Sequence, residues 1–235
     1  MKNFDLVNKS WVFNKKVAKN FDKHVNQSIP DYSDLQNYIA SLSEWFLKDG
    51  ALIYDLGCST GETIKRITSL NVTTKIEIIG IDSKSSMLKL AERKNKKRKK
   101  NIVVRFKKQN IEKIKFNKCN LVICILTFPF LNNELRKKIL KRIYNSLQDG
   151  GALIAVDKIN ARSSFVNNVL NDLYYDFKLK QKITEKDIIN KSKSLRSSIH
   201  THSEKKIFEF IKKAGFKEYD TFFRHFNFIG YIAIK

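Results

Sequence analysis

The chain has 235 residues and carries 46 lysines and arginines against 23 acidic residues, which gives a formal net charge of +23. This length fits one domain with a full hydrophobic core. No apolar stretch reaches the ~18 residues that a membrane-spanning helix needs, and the N-terminus has no apolar run typical of a signal peptide, so we expect no membrane association. Three cysteines without Cys-x-x-Cys spacing argue against a disulfide framework or a zinc site and favour a cytoplasmic location: Cys58, Cys119 and Cys124.

The positive charge alone would suggest a nucleic-acid partner, but its distribution does not. Lysine is spread along the whole chain and accompanies abundant asparagine and isoleucine, a drift that an AT-rich genome produces by codon bias. The one dense basic run, residues 94–100, is explained at least as well by a solvated helix end as by an RNA-binding patch. We therefore do not expect direct nucleic-acid binding.

Residues 1–50 are predicted to form a helical extension that packs on the core made by residues 51–235, within a single structural domain. Apolar residues recur at near-helical intervals on both sides of a break at residues 28–32. Tyr32 lies in that break, and a tyrosine there either covers a bound ligand or lies at the surface. The apolar residues are Trp11, Phe13, Val17 and Phe21 before the break, and Leu35, Ile39, Leu42 and Phe46 after it.

The next stretch, residues 51–62, predicts a buried strand, a glycine turn and the start of a helix. Glycine permits a positive φ and close approach of a ligand, and the free N–H groups at a helix start favour an anion. Asp55, at the strand end, can accept a hydrogen bond from a ligand amine or hydroxyl. Gly57 and Gly61, with Ser59 between them, fit the dinucleotide fingerprint poorly. An acid, one apolar residue and Gly-x-x-x-Gly instead resemble the first motif of S-adenosylmethionine-dependent methyltransferases.

The second strand is predicted over residues 76–81 and ends in Asp82 and Ser83. An acid at this strand end, about twenty residues after the first turn, is where a ribose finds an acceptor for its hydroxyl groups. This pattern supports a nucleoside ligand. It does not choose between a dinucleotide and S-adenosylmethionine, because both ligands contain a ribose.

The third strand is predicted over residues 102–106, and Asn110 and Ile111 follow it. At this edge of a nucleotide-binding sheet, an amide acceptor suits the amino group of adenine and an apolar neighbour suits its ring. Residues 120–127 are almost uniformly apolar and predict a fourth strand that is buried on both faces. Asn132 is predicted to cap the helix that follows it.

The rest of the chain predicts a fifth strand at residues 152–156 after a turn at 149–151, then helices and two closing strands. Alternating strands and helices followed by a strand pair predict an α/β fold of the class I methyltransferase type. This fold is a seven-stranded Rossmann-like sheet with helices on both faces and an antiparallel last strand. The helices are predicted at 163–176, within 183–195 and at 204–214, and the strands at 217–223 and 227–234.

The sequence contains no recognisable motif for metal binding or for nucleophilic catalysis. His200 and His202 lack further ligands at zinc spacing, so we expect no metal. No Ser/His/Asp arrangement has a recognisable context, and the catalytic residues stay unassigned. Asp157, at the end of the fifth strand, is one acid whose role as a base the sequence leaves open.

Eight segments together resemble carboxy-S-adenosyl-L-methionine synthases, a family that acts in bacterial tRNA wobble-uridine modification. The resemblance runs from about residue 8 to the C-terminus without large gaps. The turn at residues 54–59 and the Asn-Phe pair at 227–228 are its most specific parts. The segments are residues 11–13, 28–33, 54–59, 81–82, 150–153, 176–178, 214–216 and 226–228.

The resemblance implies a methyltransferase fold that transfers no methyl group. The family converts S-adenosyl-L-methionine and prephenate to carboxy-S-adenosyl-L-methionine and phenylpyruvate, through an ylide that captures carbon dioxide released from prephenate. The resemblance also implies a homodimer and a tRNA-modifying partner enzyme that receives the product. The positions that it assigns to the ligand are Tyr32, Gly57, Cys58, Ser59, Asp82 and Ile111, with Asn110 in place of an acid. Ser83, which follows Asp82 at the strand end, is a further candidate for binding this ligand.

Two departures from the family pattern concern the added carboxylate. Ile125 stands where the family has asparagine, and Ser192 stands where it has the arginine that grips the carboxylate. A lysine is not equivalent to a bidentate guanidinium, but a nearby cation can take its place. The candidates are Lys191, Lys193 and Arg196. Two alternatives therefore stay open: an ordinary S-adenosylmethionine-dependent methyltransferase acting on tRNA or another acidic substrate, and a degenerate S-adenosylmethionine-binding protein.

Overall fold

The structure is a computed structural model that describes residues 15–97, 99–196 and 198–235, with side chains from residue 20 onward. Trp11 and Phe13, which we predicted on the first helix, lie outside these residues, and so does the side chain of Val17. In the described part, none of the helices combines the length and the apolar character that crossing a membrane would require.

Eight α-helices and seven β-strands occupy the described residues, together with two short 3-10 turns at residues 111–113 and 128–130. The helices are α1 (Lys15–Ser28), α2 (Tyr32–Glu44), α3 (Glu62–Ser69), α4 (Ser85–Lys94), α5 (Asn133–Ser146), α6 (Ser164–Lys180), α7 (Glu185–Leu195) and α8 (Glu204–Ala214). The strands are β1 (Ala51–Leu56), β2 (Ile76–Asp82), β3 (Ile102–Lys108), β4 (Cys119–Ile125), β5 (Leu147–Lys158), β6 (Glu218–His225) and β7 (Phe228–Ile234).

The seven strands form one sheet in the order β3-β2-β1-β4-β5-β7-β6. β1 to β5 are parallel, and β7 runs antiparallel between β5 and β6, which confirms the predicted sheet. The strands coincide with the apolar runs of the sequence. A parallel strand that is buried on both faces carries a continuous apolar run instead of alternating polar and apolar residues. The predicted Asn132 cap is confirmed, because its side chain accepts the Leu135 N–H. Gly215 ends α8 with a φ of 120°.

The main difference from the sequence prediction is the start of β5. We predicted a turn at residues 149–151 before the strand, but the strand already begins at Leu147, which pairs with Cys119. The pairing shifts register between Cys119 and Leu121. The glycines then join the ladder to the chain end, because the Gly150 N–H donates to the Lys235 carbonyl and the Lys235 N–H donates to the Gly151 carbonyl.

Two apolar clusters cover the two faces of the sheet. One face packs against α1 and α2, so that Val25 and Leu35 share a cluster with Ile53 of β1. The other packs against α5 and α8, for example through Ile139 and Ile207. The described part of the predicted N-terminal extension therefore packs on the core. It brings the start of α2 and one side of α1 to the carboxyl ends of the parallel strands.

Candidate functional site

A cavity of about 690 Å³ lies at the carboxyl ends of the parallel strands. Its floor is the strand ends and the β1–α3 turn, and α1, α6 and α7 contribute further walls. This is the edge at which open α/β sheets bind ligands, because the strand order reverses there and leaves a crevice. The volume falls in the range of cavities that enclose a small molecule.

The β1–α3 turn is held by its own backbone. Gly57 has a φ of 77° and Ser59 a φ of 49°, both in the left-handed region. The Gly57 and Cys58 N–H groups donate to the Ile81 carbonyl, at 2.8 and 3.0 Å. The Gly61 N–H donates to the Cys58 carbonyl. Since these N–H groups are already used inside the protein, the acidic side chains around the turn are the stronger candidates for ligand contacts.

Asp82, at the end of β2, connects this strand to the β1–α3 turn through hydrogen bonds. One carboxylate oxygen accepts the Ser59 N–H at 3.0 Å, and the other accepts the Lys84 N–H at 2.8 Å. Burial raises the pKa of Asp82, and these backbone hydrogen bonds oppose that rise. Each carboxylate oxygen keeps a second lone pair, so Asp82 is fixed in place and still able to accept hydrogen bonds from two vicinal hydroxyl groups.

Asp55 brings a buried, unpaired carboxylate oxygen to the cavity. It is 2% exposed, lines the cavity, and its Oδ2 has no hydrogen-bond partner. Burial raises its pKa to about 7, and the nearby Asp82 carboxylate adds to the rise. A buried acceptor without a donor is costly unless a ligand supplies that donor. The amine or hydroxyl donor that we expected opposite Asp55 therefore fits this environment.

The Asp55→Asn variant should isolate the contribution of this carboxyl group to the pH dependence of stability. Because the folded-state pKa lies above the unfolded value of 3.8, folding favours the protonated acid, and its stabilising contribution is lost as pH rises from about 4 through 7. We expect the ligand-free variant to gain stability over the wild type at pH 8 relative to pH 5, by about 2–3 kcal/mol. Urea unfolding of both proteins at the two pH values measures this difference, and a pH-independent difference would contradict it.

The other residues predicted for a nucleoside line the same cavity. Tyr32, at the start of α2, receives a hydrogen bond on its hydroxyl from Gln36, 2.8 Å away, and Gln36 in turn accepts one from Thr63 at 2.9 Å. The Asn110 side chain already accepts the Glu112 N–H at 3.0 Å, so it is oriented by its own 3-10 turn. Cys58, Ser83 and Ile111 complete the set that the structure brings together.

The residues predicted around the carboxylate divide into two groups. Ile125, Ser192 and Arg196 line the cavity, and Lys191 does so as well. Lys193 is exposed and is not part of the cavity wall, because it follows Ser192 on α7 and points to a different side of the helix. Of the cations near Ser192, Lys191 and Arg196 are therefore the ones placed to meet a ligand.

The sequence prediction missed a group of cavity residues on β5, α6 and β7. These are Lys158, Tyr174, Lys178 and Asn227. The segments at 176–178 and 226–228 carried a signal, because they belong to the family resemblance, but no spacing rule linked them to Lys158. Only the fold brings the end of β5 beneath α6.

Asp157 is not a candidate base in this geometry. It is fully buried beside the Arg136 guanidinium, and the Tyr231 hydroxyl donates to its Oδ2 at 2.9 Å. It does not line the cavity, whereas its neighbour Lys158 does. Across the described residues, no group of three or more His, Cys, Asp or Glu side chains is arranged to hold a metal ion.

Comparison with solved structures defines the class of this fold. The chain superposes on a Haemonchus contortus phosphoethanolamine N-methyltransferase 2 with a TM-score of 0.66 and 13% identity, covering 95% of this chain and 57% of that one. It superposes on human N-acetylserotonin methyltransferase with a TM-score of 0.63 and 14% identity, covering 94% and 56%. A methyltransferase domain model matches residues 53–151. The fold is that of the class I S-adenosylmethionine-dependent methyltransferases.

Sequence relatives narrow the class to one family. The chain is 32% identical to the carboxy-S-adenosyl-L-methionine synthase of Staphylococcus epidermidis, over 96% of this chain and 97% of that protein. It is 30% identical to the synthase of Nautilia profundicola, over 97% and 96%. It is also 30% identical to that of Methylococcus capsulatus, over 95% and 93%. The chain belongs to the carboxy-S-adenosyl-L-methionine synthase family.

Proposed function

We propose that the protein converts S-adenosyl-L-methionine and prephenate to carboxy-S-adenosyl-L-methionine and phenylpyruvate, for modification of the tRNA wobble uridine. The observation that carries the proposal is a single cavity that joins two different environments. Asp55 and Asp82 lie at the strand ends, and the basic side chains of α6 and α7 lie on other walls of the same cavity. A nucleoside with an ammonium group suits the first environment, and a carboxylate suits the second.

The residues at the strand ends fit S-adenosyl-L-methionine as a substrate. Asp82 would accept the ribose hydroxyls, and Asp55 would meet the amino-acid ammonium group. Tyr32 would cover the nucleoside from the start of α2. Asn110 and Ile111, beyond the end of β3, would meet the adenine. The sulfonium of the bound substrate supplies the electrophilic, acidifying centre, while these side chains hold and orient it.

The proposed reaction is balanced without any further oxidant or reductant. Prephenate becomes aromatic when its ring carboxylate leaves as carbon dioxide and its ring hydroxyl leaves as hydroxide. The hydroxide takes one proton from the sulfonium methyl group, forming water, and the resulting carbanion forms a bond to the carbon dioxide. One S-adenosyl-L-methionine and one prephenate thus give one carboxylated product, one phenylpyruvate and one water. Enclosure of both substrates in one cavity keeps the carbon dioxide beside the carbon that captures it.

The same proposal includes the partners and location that the family resemblance implies. A homodimer is supported by an exposed apolar stripe on α6, where Phe165 is 77% exposed and Val169 and Leu173 follow at helical spacing. A cytoplasmic location is supported by three buried free cysteines. We propose that the product passes to a tRNA-modifying enzyme, so that this chain needs no tRNA contact of its own.

The test is a mass-spectrometric assay with prephenate labelled by ¹³C in its ring carboxylate. We expect a nucleoside product heavier than S-adenosyl-L-methionine by one labelled carbon dioxide unit, together with unlabelled phenylpyruvate. Omitting prephenate is the control and should abolish the product. Methyl transfer to bulk tRNA without any carboxylated nucleoside would instead support an ordinary methyltransferase. Binding of S-adenosyl-L-methionine without turnover of either kind would support a degenerate binding protein.

A further inference from the structure

Two lysines in the cavity wall lack an acidic partner. Lys178 of α6 is 8% exposed, and Lys158 at the end of β5 is half-buried. Within the described part of the chain, no carboxylate lies within ion-pair distance of either ammonium group, although ten other ion pairs are formed there. A buried ammonium without a counter-ion is unfavourable, and natural cores rarely keep one without a reason.

An aromatic platform fixes the two lysines. The Lys178 Nζ lies 4.1 Å from the centre of the Tyr174 ring, and the Lys158 Nζ lies 4.8 Å from the same centre. The Phe228 ring packs edge-on against Tyr174, with 5.4 Å between the ring centres, and lies 5.9 Å from the Lys158 Nζ. Attraction to the ring faces holds both cations in place but leaves their hydrogen-bond donors unused.

The electrostatics of these lysines favour an anionic ligand. Burial lowers the pKa of Lys178 to about 7, and the positive charge of Lys158 contributes to that shift. Burial also lowers the pKa of Lys158 to about 8. From α7, Lys191 lies close enough to Lys178 to feel its charge. From α1, His24 feels the charges of Lys191 and Lys178, and Asp187 acts on His24 in the opposite direction. An anion placed among these groups would restore the charged state of the lysines.

A polar acceptor stands beside the cations. Asn227, 2% exposed, directly precedes Phe228 and lines the cavity. Its Nδ2 donates to the Asn171 side chain at 2.9 Å, while its buried Oδ1 has no hydrogen-bond partner. A ligand hydroxyl would satisfy that oxygen. The wall therefore offers two cations and one acceptor, a donor set for a molecule that carries both a carboxylate and a hydroxyl.

We propose that Lys158 and Lys178, on the Tyr174 ring and beside Asn227, form the carboxylate subsite of this protein and bind the second substrate. The inference rests on the proposed function for the name of that substrate, prephenate, which carries two carboxylates and a ring hydroxyl. The lysine pair on β5 and α6 supplies positive charge in a cavity where Ser192 supplies none. Lys191 is the third cation at this wall.

Isothermal titration at pH 6.5 with prephenate, and with phenylpyruvate as a carboxylate without the ring hydroxyl, tests the subsite directly. The protein is first saturated with S-adenosylhomocysteine. We expect Lys178→Met and Lys158→Met each to weaken prephenate binding by about tenfold to a hundredfold. Lys180→Met, an exposed lysine on the same helix, is the matched control and should change it less than twofold. Methionine keeps the length of the side chain and removes an unpaired buried charge, so both variants should fold.

The outcomes separate the subsite from the proposed reaction. Wild-type affinity in both lysine variants, or no binding of either probe to the wild type, overturns the subsite. Tight prephenate binding that depends on the lysines, combined with no carboxylated product, retains the subsite and overturns the reaction. If the lysine variants bind S-adenosylhomocysteine more weakly by the same factor as prephenate, the subsite is also overturned, since that result would mean a general collapse of the cavity. Asn227→Leu should reduce the preference for prephenate over phenylpyruvate.

Discussion

The Gly57→Ala variant is expected to lose about 3–5 kcal/mol of unfolding free energy and its affinity for S-adenosylhomocysteine. Two costs combine at this position. The φ of 77° is unfavourable for alanine, and a Cβ there would lie 2.1 Å from the Thr127 Oγ1. Thr127 cannot move away freely, because its hydroxyl donates to the Leu56 carbonyl at 3.0 Å. The ends of β1 and β4 would have to separate at the floor of the cavity.

Gly150→Ala provides the matched control for that result. Its φ is 74°, but an added Cβ meets nothing within 4 Å, so only the backbone cost of about 1 kcal/mol applies. Adding Thr127→Ala to Gly57→Ala should recover more than 1 kcal/mol, because it removes the clashing oxygen. Urea unfolding measures all four proteins. Equal losses for Gly57→Ala and Gly150→Ala would show that the close approach of Thr127 has no energetic weight.

The Asp157→Ala variant is expected to be destabilised by about 3–5 kcal/mol, because it leaves the Arg136 guanidinium buried without its counter-ion. Arg136 is 1% exposed and Asp157 is fully buried, so water cannot replace the lost partner. The Tyr231 hydroxyl loses its acceptor in the same change. Because the Asp157 side chain does not line the cavity, the variant that remains folded should keep its affinity for S-adenosylhomocysteine.

Replacing both charges is the control. The pair Arg136→Met and Asp157→Leu removes the ionic groups together and should recover most of the loss, since an apolar pair leaves no uncompensated buried charge. The exposed pair Glu134 and Lys137 should change stability by less than about 1 kcal/mol when either is replaced by alanine. A double variant as unstable as Asp157→Ala alone would contradict this account of the buried pair.

Much of this fold was accessible from the sequence, because its strands are short apolar runs that end in polar residues. Asp82 ends β2 as predicted, and Asn132 caps α5. The start of β5 was not accessible. Leu147 pairs with β4, and Gly150 and Gly151 bond to Lys235, a partner more than 80 residues away. In the sequence, two adjacent glycines look locally like a turn.

The residues of the candidate site also differ in whether the sequence could predict them. Residues at or shortly after the ends of predicted strands, such as Asp55, Asp82 and Asn110, could be placed at the sheet edge by topology alone. Lys158 and Lys178 could not, because they lie on different elements and meet only through the packing of α6 above β5. Lys193 was a plausible neighbour of Ser192 in sequence, but the helix turns it out of the cavity wall. Helical periodicity decides which of two adjacent residues faces a ligand.

The most direct test of the central claim is the mass of the nucleoside that the purified protein carries. Native mass spectrometry followed by denaturing extraction identifies it without any added substrate. We expect a compound heavier than S-adenosyl-L-methionine by one carbon dioxide unit, because the cations of the cavity wall would retain the added carboxylate. Recovery of S-adenosyl-L-methionine or S-adenosylhomocysteine alone, from protein expressed with an intact prephenate supply, would contradict the carboxy-S-adenosyl-L-methionine synthase activity proposed here.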